Sequence, residues 1–519
     1  MMDSVQWDAG YITRKRAQLT PNKTAIIFEN QPVTYKEIND GVNRCADFLQ
    51  HKGIQNGDRV AVLLLNCMEF IETFFAVAKL GAIFVPLNWR LVGPELEYQL
   101  NDCDVRLLVF HDAFLTSVDQ IRNGIKVEKD KFIYLKSGNP DMPVCPDWAQ
   151  DYHMLIKDAP DSEPTPSRPI QFDDPLAILY TSGTTGNPKG AVLSHQQTYF
   201  KNYQVSFYMD SKPDDVLIAQ MPLFHSAGLF IVATPAICNG MVMIMRRGFN
   251  PEEFAEDIQR FRATIVLALT TMWRMILETG KLDQIDVSSV RTVIGGGETT
   301  PPSLIEALSK RGLYLQLGFG QTENSAMMTL PKEDIFRKIG SIGKPGFFTD
   351  IWIQDDTGKR LSPGQIGEMV AKGPTVMSGY WDMPETTEKT IIDGVLHTGD
   401  LGYMDDEGYF YMVDRAKDMY RSGGENVYPA EVEKILSGHP KVSTVAIIGI
   451  PDEKWGEVGM AFIVPASGQT MTEEEVGAYL KGKVARYKHP AQIKFMDELP
   501  MTGTMKIKKA ELREEYGKL

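Results

Sequence analysis

The sequence has few cysteines and a deficit of positive charge, and each shortage excludes a class of protein. Five cysteines are scattered along 519 residues without metal-ligand or disulfide-framework spacing, which predicts reduced thiols and a cytoplasmic protein. Lys and Arg number 54 against 68 Asp and Glu, a formal net charge of −14. This balance argues against a nucleic-acid partner and against constitutive binding to an anionic membrane. Weak peripheral membrane contact and a homodimer stay open.

Targeting segments and uninterrupted apolar runs are also missing. The N-terminal stretch MMDSVQWDAGYITRKRAQL contains no apolar core and no small-residue cleavage site, so it does not read as a secretory signal. Residues 226–245, SAGLFIVATPAICNGMVMIM, approach the length of a membrane span. Pro235 and the Asn239-Gly240 pair interrupt them. We therefore expect a buried helix, a turn and a strand here.

Helical and strand patterns alternate through the first four hundred residues. Thr34 and Glu37 have the spacing of a capping box before a helical face, and residues 59–66, RVAVLLLN, predict a strand covered on both sides. A helix from Glu69 is expected to end at Gly81. Further strands are predicted at residues 82–87, 105–110, 216–219 and 264–268. The alternation predicts an α/β fold, with parallel-rich sheets, flanking helices and ligands at the carboxyl ends of strands.

The texture changes after about residue 400, where short strands, glycine-rich turns and a lysine-rich tail replace the alternation. Thr472 and Glu475 again have capping-box spacing. We place a domain boundary within DRAKD, at residues 414–417. The chain is then a large N-terminal domain, residues 1–413, and a small α+β C-terminal domain, residues 418–519, large enough to fold as a unit.

One polar, flexible stretch interrupts two apolar strands: residues 180–195 read YTSGTTGNPKGAVLSH. Successive backbone N–H groups in a glycine-rich loop can wrap phosphate oxygens, hydroxyls add donors, and Lys189 adds charge. The stretch is not a Walker A loop, because proline stands at position 188, and it is not GxGxxG. From these residues alone, a flexible surface loop is the alternative to a phosphate site.

The segment TSGTTGNPKG resembles the phosphate-loop signature of the adenylate-forming superfamily, which includes acyl-CoA synthetases, firefly-type luciferases and peptide-synthetase adenylation domains. Five further segments resemble other motifs of this superfamily, in the expected order: GFGQTEN (318–324), HTGDLG (397–402), DRAKDMYRSGGENVYPAEVE (414–433), PDEKWGE (451–457) and MTGTMKIKKAELR (501–513). The resemblance spans essentially the whole chain. The chain is identified as a member, most similar to bacterial medium- and long-chain fatty-acid–CoA ligases.

The resemblance implies an ATP-dependent acid–CoA ligase. A carboxylate attacks the α-phosphorus of ATP to give acyl-AMP and pyrophosphate, and the CoA thiol then displaces AMP. The substrates are a carboxylic acid, ATP and CoA, with Mg²⁺ as the metal. Residues 1–413 are the adenylation domain, 414–417 the hinge, and 418–519 a mobile domain that rotates between the two half-reactions.

The resemblance also implies which residues bind ATP. The β- and γ-phosphates are assigned to the loop residues Thr181, Ser182, Gly183, Thr184, Thr185, Gly186, Asn187, Pro188 and Lys189. Mg²⁺ is assigned to Glu323 and Thr184, since it prefers hard oxygen ligands. The adenosine and α-phosphate are assigned to Gly297, Gly318, Phe319, Thr322, Asp400 and Arg415. Phe319 stands where the family usually has tyrosine, so it can stack on adenine but lacks the hydroxyl.

Four residues of the C-terminal part are implied to act in turn. Lys506 is the catalytic lysine that bridges the carboxylate and the α-phosphate; Met505 stands before it where the family usually has glycine. Lys417 is the hinge residue. Gly423 and Gly424 are assigned to CoA, because the absence of a Cβ lets a pantetheine arm approach closely.

The acid is assigned to a pocket with His225 at its mouth and Trp273 in its lining. Gly320 stands where acetate-specific members of the family have tryptophan, which predicts an open pocket and a medium- to long-chain fatty acid. Aryl acids of the cinnamate or benzoate type are the alternative. A non-catalytic nucleotide-binding module would need neither Lys506 nor the hinge, and an α/β-hydrolase would need a G-x-S-x-G elbow, which the sequence lacks.

Overall fold

The structure, a computed structural model, describes residues 7–139, 141–181, 188–297, 300–415, 418–422, 425–502 and 506–517. The α-helices of these residues are α1 (Tyr11–Leu19), α2 (Tyr35–His51), α3 (Met68–Leu80), α4 (Gly93–Asp102), α5 (Leu115–Ile121), α6 (Tyr152–Ile156), α7 (His195–Met209), α8 (Thr234–Asn239), α9 (Pro251–Arg260), α10 (Thr270–Glu278), α11 (Pro302–Ser309), α12 (Pro384–Thr390), α13 (Pro429–Leu436), α14 (Glu473–Leu480) and α15 (Lys509–Tyr516). A π-helix, Ala227–Ala233, leads directly into α8.

The strands of the same residues are β1 (Thr24–Phe28), β2 (Gln31–Thr34), β3 (Arg59–Leu63), β4 (Ile83–Pro86), β5 (Leu107–His111), β6 (Phe132–Leu135), β7 (Gln150–Asp151), β8 (Pro175–Thr181), β9 (Lys189–Ser194), β10 (Val216–Ile218), β11 (Val242–Met245), β12 (Ile265–Leu267), β13 (Thr292–Gly296), β14 (Leu315–Gln321), β15 (Asn324–Leu330), β16 (Lys344–Pro345), β17 (Asp350–Gln354), β18 (Gly367–Lys372), β19 (Gly379–Tyr380), β20 (Ile391–Ile392), β21 (Val395–Met404), β22 (Phe410–Arg415), β23 (Tyr420–Ser422), β24 (Glu425–Val427), β25 (Val442–Asp452), β26 (Gly456–Pro465) and β27 (Gln492–Phe495).

These strands form four sheets. The largest has the order β16-β15-β14-β13-β12-β10-β11-β1-β2, and the second has the order β19-β9-β8-β4-β3-β5-β6-β7. Both have parallel centres, including β10 to β14 in the first and β3 to β6 in the second. Two smaller sheets follow, one of β17, β18 and β20 to β22 and one of β23 to β27. The predicted α/β class with parallel-rich sheets is confirmed.

The two large sheets enclose a layer of helices. One continuous apolar core joins their facing sides to α2, α3, α7 and α8. Alternate residues of the same strands point outward, where α9 to α11 cover the first sheet and α4 and α5 cover the second. Strands buried on both faces are the expected reason for the continuous apolar runs in the sequence. The last sheet has its own two cores, against α13 and α14 on one face and α15 on the other.

Several local predictions are confirmed. Thr34 and Glu37 form a reciprocal capping box at α2, as Thr472 and Glu475 do at α14. Helix α3 ends at Gly81 in the left-handed conformation, with a φ of 67°. The apolar window at 226–245 is the π-helix, α8, a left-handed Gly240 and β11. In the part of the chain that the structure describes, no helix combines the length and apolarity needed to cross a membrane.

Candidate active site

The strands on either side of the glycine-rich loop are placed as the sequence predicts. β8 enters the loop and β9 leaves it, antiparallel, with Thr181 opposite Lys189. The Thr181 hydroxyl donates a hydrogen bond to the Lys189 carbonyl (3.3 Å), and the Pro188 carbonyl accepts one from Tyr98 (3.3 Å). The loop thus begins and ends at one closed strand pair, at the carboxyl end of β8.

A glutamate, a tyrosine and a lysine from three segments meet beside this strand pair. Glu323 lies in the turn between β14 and β15, and its carboxylate accepts a hydrogen bond from the Tyr380 hydroxyl (3.0 Å). The Lys189 ammonium stands 5.3 Å from the centre of the Tyr380 ring. The segment around β19 brings these three residues together. Strand β19 pairs with β9, which carries Lys189, and just before β19 the Met377 amide donates a hydrogen bond to the Glu323 carbonyl (2.8 Å). Burial, followed by the Glu323 charge, raises the pKa of Tyr380, which therefore stays a neutral donor.

The carboxyl ends of β13 and β14 are rich in glycine. Gly296 pairs with Gly318 in parallel register, and a Cβ on Gly296 would lie 2.1 Å from the Gly318 carbonyl oxygen. Gly297 has a φ of 84° and is exposed. Phe319 follows on β14, half-buried against the core between the sheets. The close approach of the two strand ends therefore requires glycine at position 296, and a Cβ on Gly297 would lie 2.9 Å from the Leu269 side chain.

Asp400 lies within β21, not in a turn before a strand. It is 1% exposed, and its Oδ2 accepts a hydrogen bond from the Gln321 amide, which also donates to the Thr398 carbonyl (3.0 Å). Asp400 is opposite Arg415 on β22. Thr322, half-buried, follows Gln321 in the turn that holds Glu323. The carboxylate of the predicted TGD motif is therefore tied to the turn that holds the predicted metal ligand.

The predicted catalytic lysine lies near the predicted acid pocket. Lys506 is exposed, and its backbone amide donates to the Thr502 hydroxyl (3.0 Å). Burial, followed by the positive charge of Lys506, lowers the pKa of His225 to about 4. The charge of Lys506 thus acts on the imidazole, although His225 precedes the π-helix of the large part and Lys506 lies in the C-terminal tail. His225 is neutral at physiological pH, with Nδ1 accepting a hydrogen bond from the Ala227 amide (3.2 Å).

The other two residues predicted for the acid pocket, Gly320 and Trp273, lie in different surroundings. Gly320 is exposed, but a Cβ there would lie 2.6 Å from the Ala326 backbone nitrogen. The hairpin of β14 and β15 itself therefore requires glycine, whatever the pocket holds. Trp273 has no exposed surface, donates its indole N–H to the Ile294 carbonyl (3.0 Å) and packs on Phe254 (5.8 Å). In this structure Trp273 is a core residue on the outer face of the large sheet and does not line an accessible space.

Some predicted site residues lie outside the described residues: Ser182, Gly183, Thr184, Thr185, Gly186, Asn187, Lys417, Gly423 and Gly424. For Arg415 the structure describes the backbone and not the side chain. The described ranges contain no group of three or more His, Cys, Asp or Glu residues that could hold a metal ion. A metal here would need oxygens from Glu323 together with those of a bound ligand or the loop.

Sequence reasoning missed Tyr380, Gln321 and Ser226. The Tyr380–Glu323 bond joins residues 57 positions apart, and the Gln321–Asp400 bond joins residues 79 apart. Ser226, which follows His225, shares a buried hydrogen bond with Ser325 (2.6 Å). Gln321 stands inside the segment GFGQTEN, and that position was the one available signal. Nothing local to Tyr380 indicates that it reaches Glu323.

Two family models match this chain. Residues 13–381 match the AMP-binding enzyme family, and residues 431–506 match the AMP-binding enzyme C-terminal domain. A feruloyl-CoA synthase from Amycolatopsis is 38% identical over 504 residues, covering 97% of this chain and 98% of the relative. The long-chain-fatty-acid–CoA ligase FadD13 of Mycobacterium tuberculosis is 36% identical over 512 residues, covering 98% of each chain.

Among solved structures, the o-succinylbenzoate CoA synthetase of Bacillus subtilis, in complex with its acyl-adenylate intermediate, superposes with a TM-score of 0.86. It is 32% identical to this chain, and the match covers 97% of both chains. The similarity extends over both the large sheets and the C-terminal sheet.

Proposed function

We propose that this chain, which belongs to the AMP-binding enzyme family and is an acid–CoA ligase of the AMP-forming type, acts on an aryl carboxylate. The observation that supports the site assignment is that the positive charge of Lys506 acts on His225, since a cation of the C-terminal tail is then close to the residue assigned to the mouth of the acid pocket. ATP and CoA are the co-substrates, and Mg²⁺ accompanies ATP.

The triphosphate is proposed to bind between the glycine-rich loop and Glu323. Lys189 supplies positive charge, and the backbone donors of residues 181–189 surround the β- and γ-phosphates. Glu323 and Thr184 hold Mg²⁺: the Glu323 carboxylate is the hard-oxygen ligand that this ion prefers, and the Tyr380 hydroxyl fixes its orientation. When bound, Mg²⁺ neutralises charge on the leaving pyrophosphate.

The nucleoside is proposed to lie along the glycine-rich carboxyl ends of β13 and β14. Gly297 and Gly318 let the backbone approach the adenylate, and Phe319 stacks on the base. Asp400, held by Gln321, accepts hydrogen bonds from the ribose hydroxyls, with Arg415 as a further contact. Thr322 adds a hydroxyl between the ribose and the phosphates.

Lys506 then acts at the reacting atoms. An oxygen of the acid carboxylate forms a bond to the α-phosphorus, and the bond from that phosphorus to the pyrophosphate oxygen breaks. Negative charge builds up on the phosphoryl oxygens during this step, and the Lys506 ammonium stabilises it. His225 stays neutral because of its lowered pKa, so it adds no competing charge beside the lysine.

The second half-reaction is proposed to need a rotation about residues 414–417, with Lys417 as the hinge. The fold is compatible with this boundary: β22 ends its sheet at Arg415, and the C-terminal sheet begins at Tyr420. Rotation withdraws Lys506 and presents Gly423 and Gly424 to the pantetheine arm of CoA. The CoA sulfur attacks the acyl carbonyl carbon, the thioester bond forms, and AMP leaves.

The aryl assignment is supported by polar groups in the wall behind His225. Ser226 and Ser325 are both buried, and their hydroxyls share one hydrogen bond. That bond uses one of the two hydroxyl hydrogens, so the pair can still donate to an oxygen on a ring acid, whereas an alkyl chain gains nothing from these hydroxyls. The feruloyl-CoA synthase and o-succinylbenzoate CoA synthetase named above act on ring acids, according to their names.

A fatty acid is the second candidate. The π-helix that begins after His225 places Leu229, Phe230 and Val232 in the core, so its wall is apolar between its polar ends. FadD13 has a long-chain fatty acid as its named substrate, and it is nearly as similar to this chain as the feruloyl-CoA synthase.

The experiment is a comparison of acids in one assay. Loss of free CoA thiol is measured with ATP and Mg²⁺ for acetate, octanoate, palmitate, benzoate, cinnamate and ferulate. We expect the highest kcat/KM among the ring acids. A maximum at octanoate or palmitate would replace the aryl assignment with the fatty-acid one. If none of the six acids supports loss of the CoA thiol, the ligase function is contradicted.

A further inference from the structure

Lys201, on α7, is a lysine whose side chain has no exposed surface. Among the residues that the structure describes, none offers its Nζ an acceptor within hydrogen-bond distance. The nearest stabilising group is the face of the Phe230 ring, whose centre lies 4.2 Å away. Burial lowers the pKa of Lys201 to about 7. An unpaired buried amine is costly, so a lysine at such a place calls for a partner.

The position of Lys201 in α7 directs it toward the acid side of the active site. Gln197, Lys201 and Gln204 follow one another on one helix face. Gln197 donates to the Thr375 carbonyl (2.7 Å), and Gln204 donates to the Ala326 carbonyl on β15. The π-helix covers the remaining side through Phe230. Lys201 is therefore enclosed by α7, the π-helix and β15, which contact one another in pairs.

The same three elements carry the residues of the proposed acid site. The π-helix begins two residues after His225, and β15 begins immediately after Glu323. Phe230 is five positions after His225, in the π-helix that follows it, and the Lys201 amine lies 4.2 Å from the centre of the Phe230 ring. The segment that carries His225 therefore also supplies the ring that covers the amine.

Other unsatisfied polar atoms lie on the same walls. Neither side-chain atom of Asn324 has a hydrogen-bond partner, nor does Oε1 of Gln197, and both residues are buried. Ala326 has a φ of 57°, in the left-handed region that a residue with a Cβ rarely adopts. Strained backbone and unsatisfied buried groups concentrate at functional sites. Asn324 and Ala326 lie on β15, and Gln197 lies one helical turn before Lys201 on α7, so these groups belong to two of the elements that enclose the amine.

We propose that Lys201 forms the distal subsite of the acid pocket and binds an acid that carries a hydrogen-bond-accepting oxygen at the end opposite its reacting carboxylate. The proposal rests on the proposed function, because it takes His225 and Lys506 to flank that carboxylate. The amine donates to the distal oxygen, and an anionic oxygen also pairs its charge. Two sources share this chemistry: a ring hydroxyl and a second carboxylate. A hydrocarbon end leaves the amine unpaired and is disfavoured.

The test uses acids that differ only at the para position: cinnamate, 4-hydroxycinnamate and 4-carboxycinnamate. kcat/KM for CoA thioester formation is measured for the wild-type protein and for Lys201→Met, which keeps an unbranched apolar stem one atom shorter than lysine and removes the charged amine. In the wild type we expect at least one oxygenated acid to exceed cinnamate by about tenfold or more, the scale of one hydrogen bond to a charged group. The oxygenated acid that gains identifies the source, hydroxyl or carboxylate.

In Lys201→Met this preference should fall to within about twofold, while turnover of cinnamate persists. Lys79→Met is the matched control, since Lys79 is also buried but is fully paired with Asn39, Asn43 and Glu163 (2.7, 2.7 and 2.8 Å). It should lower the melting temperature and leave the acid preference unchanged. Lys201→Met should keep or raise the melting temperature, because it removes an unpaired buried amine.

The outcomes separate the two proposals. If the wild type turns over all three acids at similar kcat/KM, or if Lys201→Met keeps the wild-type preference, the distal subsite is wrong and the ligase function stands. If the wild type forms no thioester with any acid, the proposed function is wrong, and the subsite falls with it. The wild-type ratios decide the question even if the variant does not fold.

Discussion

Lys506 is the residue on which the proposed chemistry depends most. Lys506→Ala should lower the rate of acid-dependent pyrophosphate exchange by about a hundredfold or more, the scale for losing one donor to a transition-state charge. Lys508→Ala is the control, since Lys508 is exposed in the same tail and its ammonium lies 3.6 Å from the Glu511 carboxylate. Equal activity of the two variants would contradict the role given to Lys506.

Tyr380 tests the metal site from a residue that does not itself bind the metal. Tyr380→Phe removes the hydroxyl that donates to Glu323 and keeps the ring beside Lys189. We expect the Mg²⁺ concentration for half-maximal rate to rise by about tenfold, as when an outer hydrogen bond to a ligand is lost. Tyr403→Phe, at a tyrosine stacked on Tyr411, is the control. An unchanged Mg²⁺ dependence would exclude an orienting role for Tyr380.

His195 gives a prediction for stability against pH. It is fully buried, its Nδ1 accepts a hydrogen bond from the Ala9 amide (2.9 Å), and burial lowers its pKa to about 4 against the opposing charge of Asp174. The unfolded chain binds a proton at the ordinary pKa of about 6.5, and the folded chain does not. Stability from this group is therefore complete above pH 6.5 and falls as the pH drops toward 4.

The matching variant is His195→Asn, which keeps an acceptor for the Ala9 amide. Between pH 7 and pH 5 the wild type should lose about 2 kcal/mol of unfolding free energy from this histidine that the variant does not lose. Urea unfolding of both proteins at the two pH values measures the difference. If the free energy of unfolding changes by the same amount in both proteins between pH 7 and pH 5, His195 is not held neutral in the fold.

At the scale of elements, the π-helix behind His225 depends on one close approach. A Cβ on Gly228 would lie 2.2 Å from the Pro222 carbonyl oxygen, whereas a Cβ on Gly477, in α14, would have no neighbour within 4 Å. Gly228→Ala should therefore destabilise the protein by about 1–3 kcal/mol and lower kcat/KM for the acid.

Gly477→Ala provides the control because alanine favours a helix interior where space is open. It should be neutral or stabilise by up to about 1 kcal/mol. The comparison is read from urea unfolding and from acid kinetics on the same samples. A Gly228→Ala variant as stable and active as Gly477→Ala would mean that the π-helix does not set the shape of the pocket.

Elements whose cause is local could be predicted from the sequence, and contacts between distant elements could not. The capping boxes at Thr34 and Thr472 and the end of α3 at Gly81 follow from a few neighbouring residues. Asp400 illustrates the limit: the motif was identified, but its position inside β21 follows from pairing with β18 and β22. Lys201 gives no sequence signal, since a lysine in a helix is ordinarily solvated.

At the scale of the whole molecule, an acidic protein presents cations at the site proposed for anions. The chain has a formal charge of −14, yet Lys189 of the large part and Lys506 of the C-terminal tail are both assigned to the proposed triphosphate and carboxylate. Local charge in a cleft attracts anions despite the sign of the net charge, more strongly at low ionic strength. Lys189 belongs to the large part of the chain, whereas Lys506 belongs to the C-terminal part that is proposed to rotate. The proposed rotation would therefore move the charge of Lys506 away from the site while Lys189 stays.

The most direct test of the account is the fate of the carboxylate oxygen. Ferulate labelled with ¹⁸O in both carboxylate positions is converted with ATP, Mg²⁺ and CoA, and the AMP is analysed by mass spectrometry. An acyl-adenylate leaves one labelled oxygen on AMP for every thioester formed, because thiolysis breaks the bond between the acyl carbon and that oxygen. Unlabelled AMP, or ADP with labelled inorganic phosphate, would contradict the account.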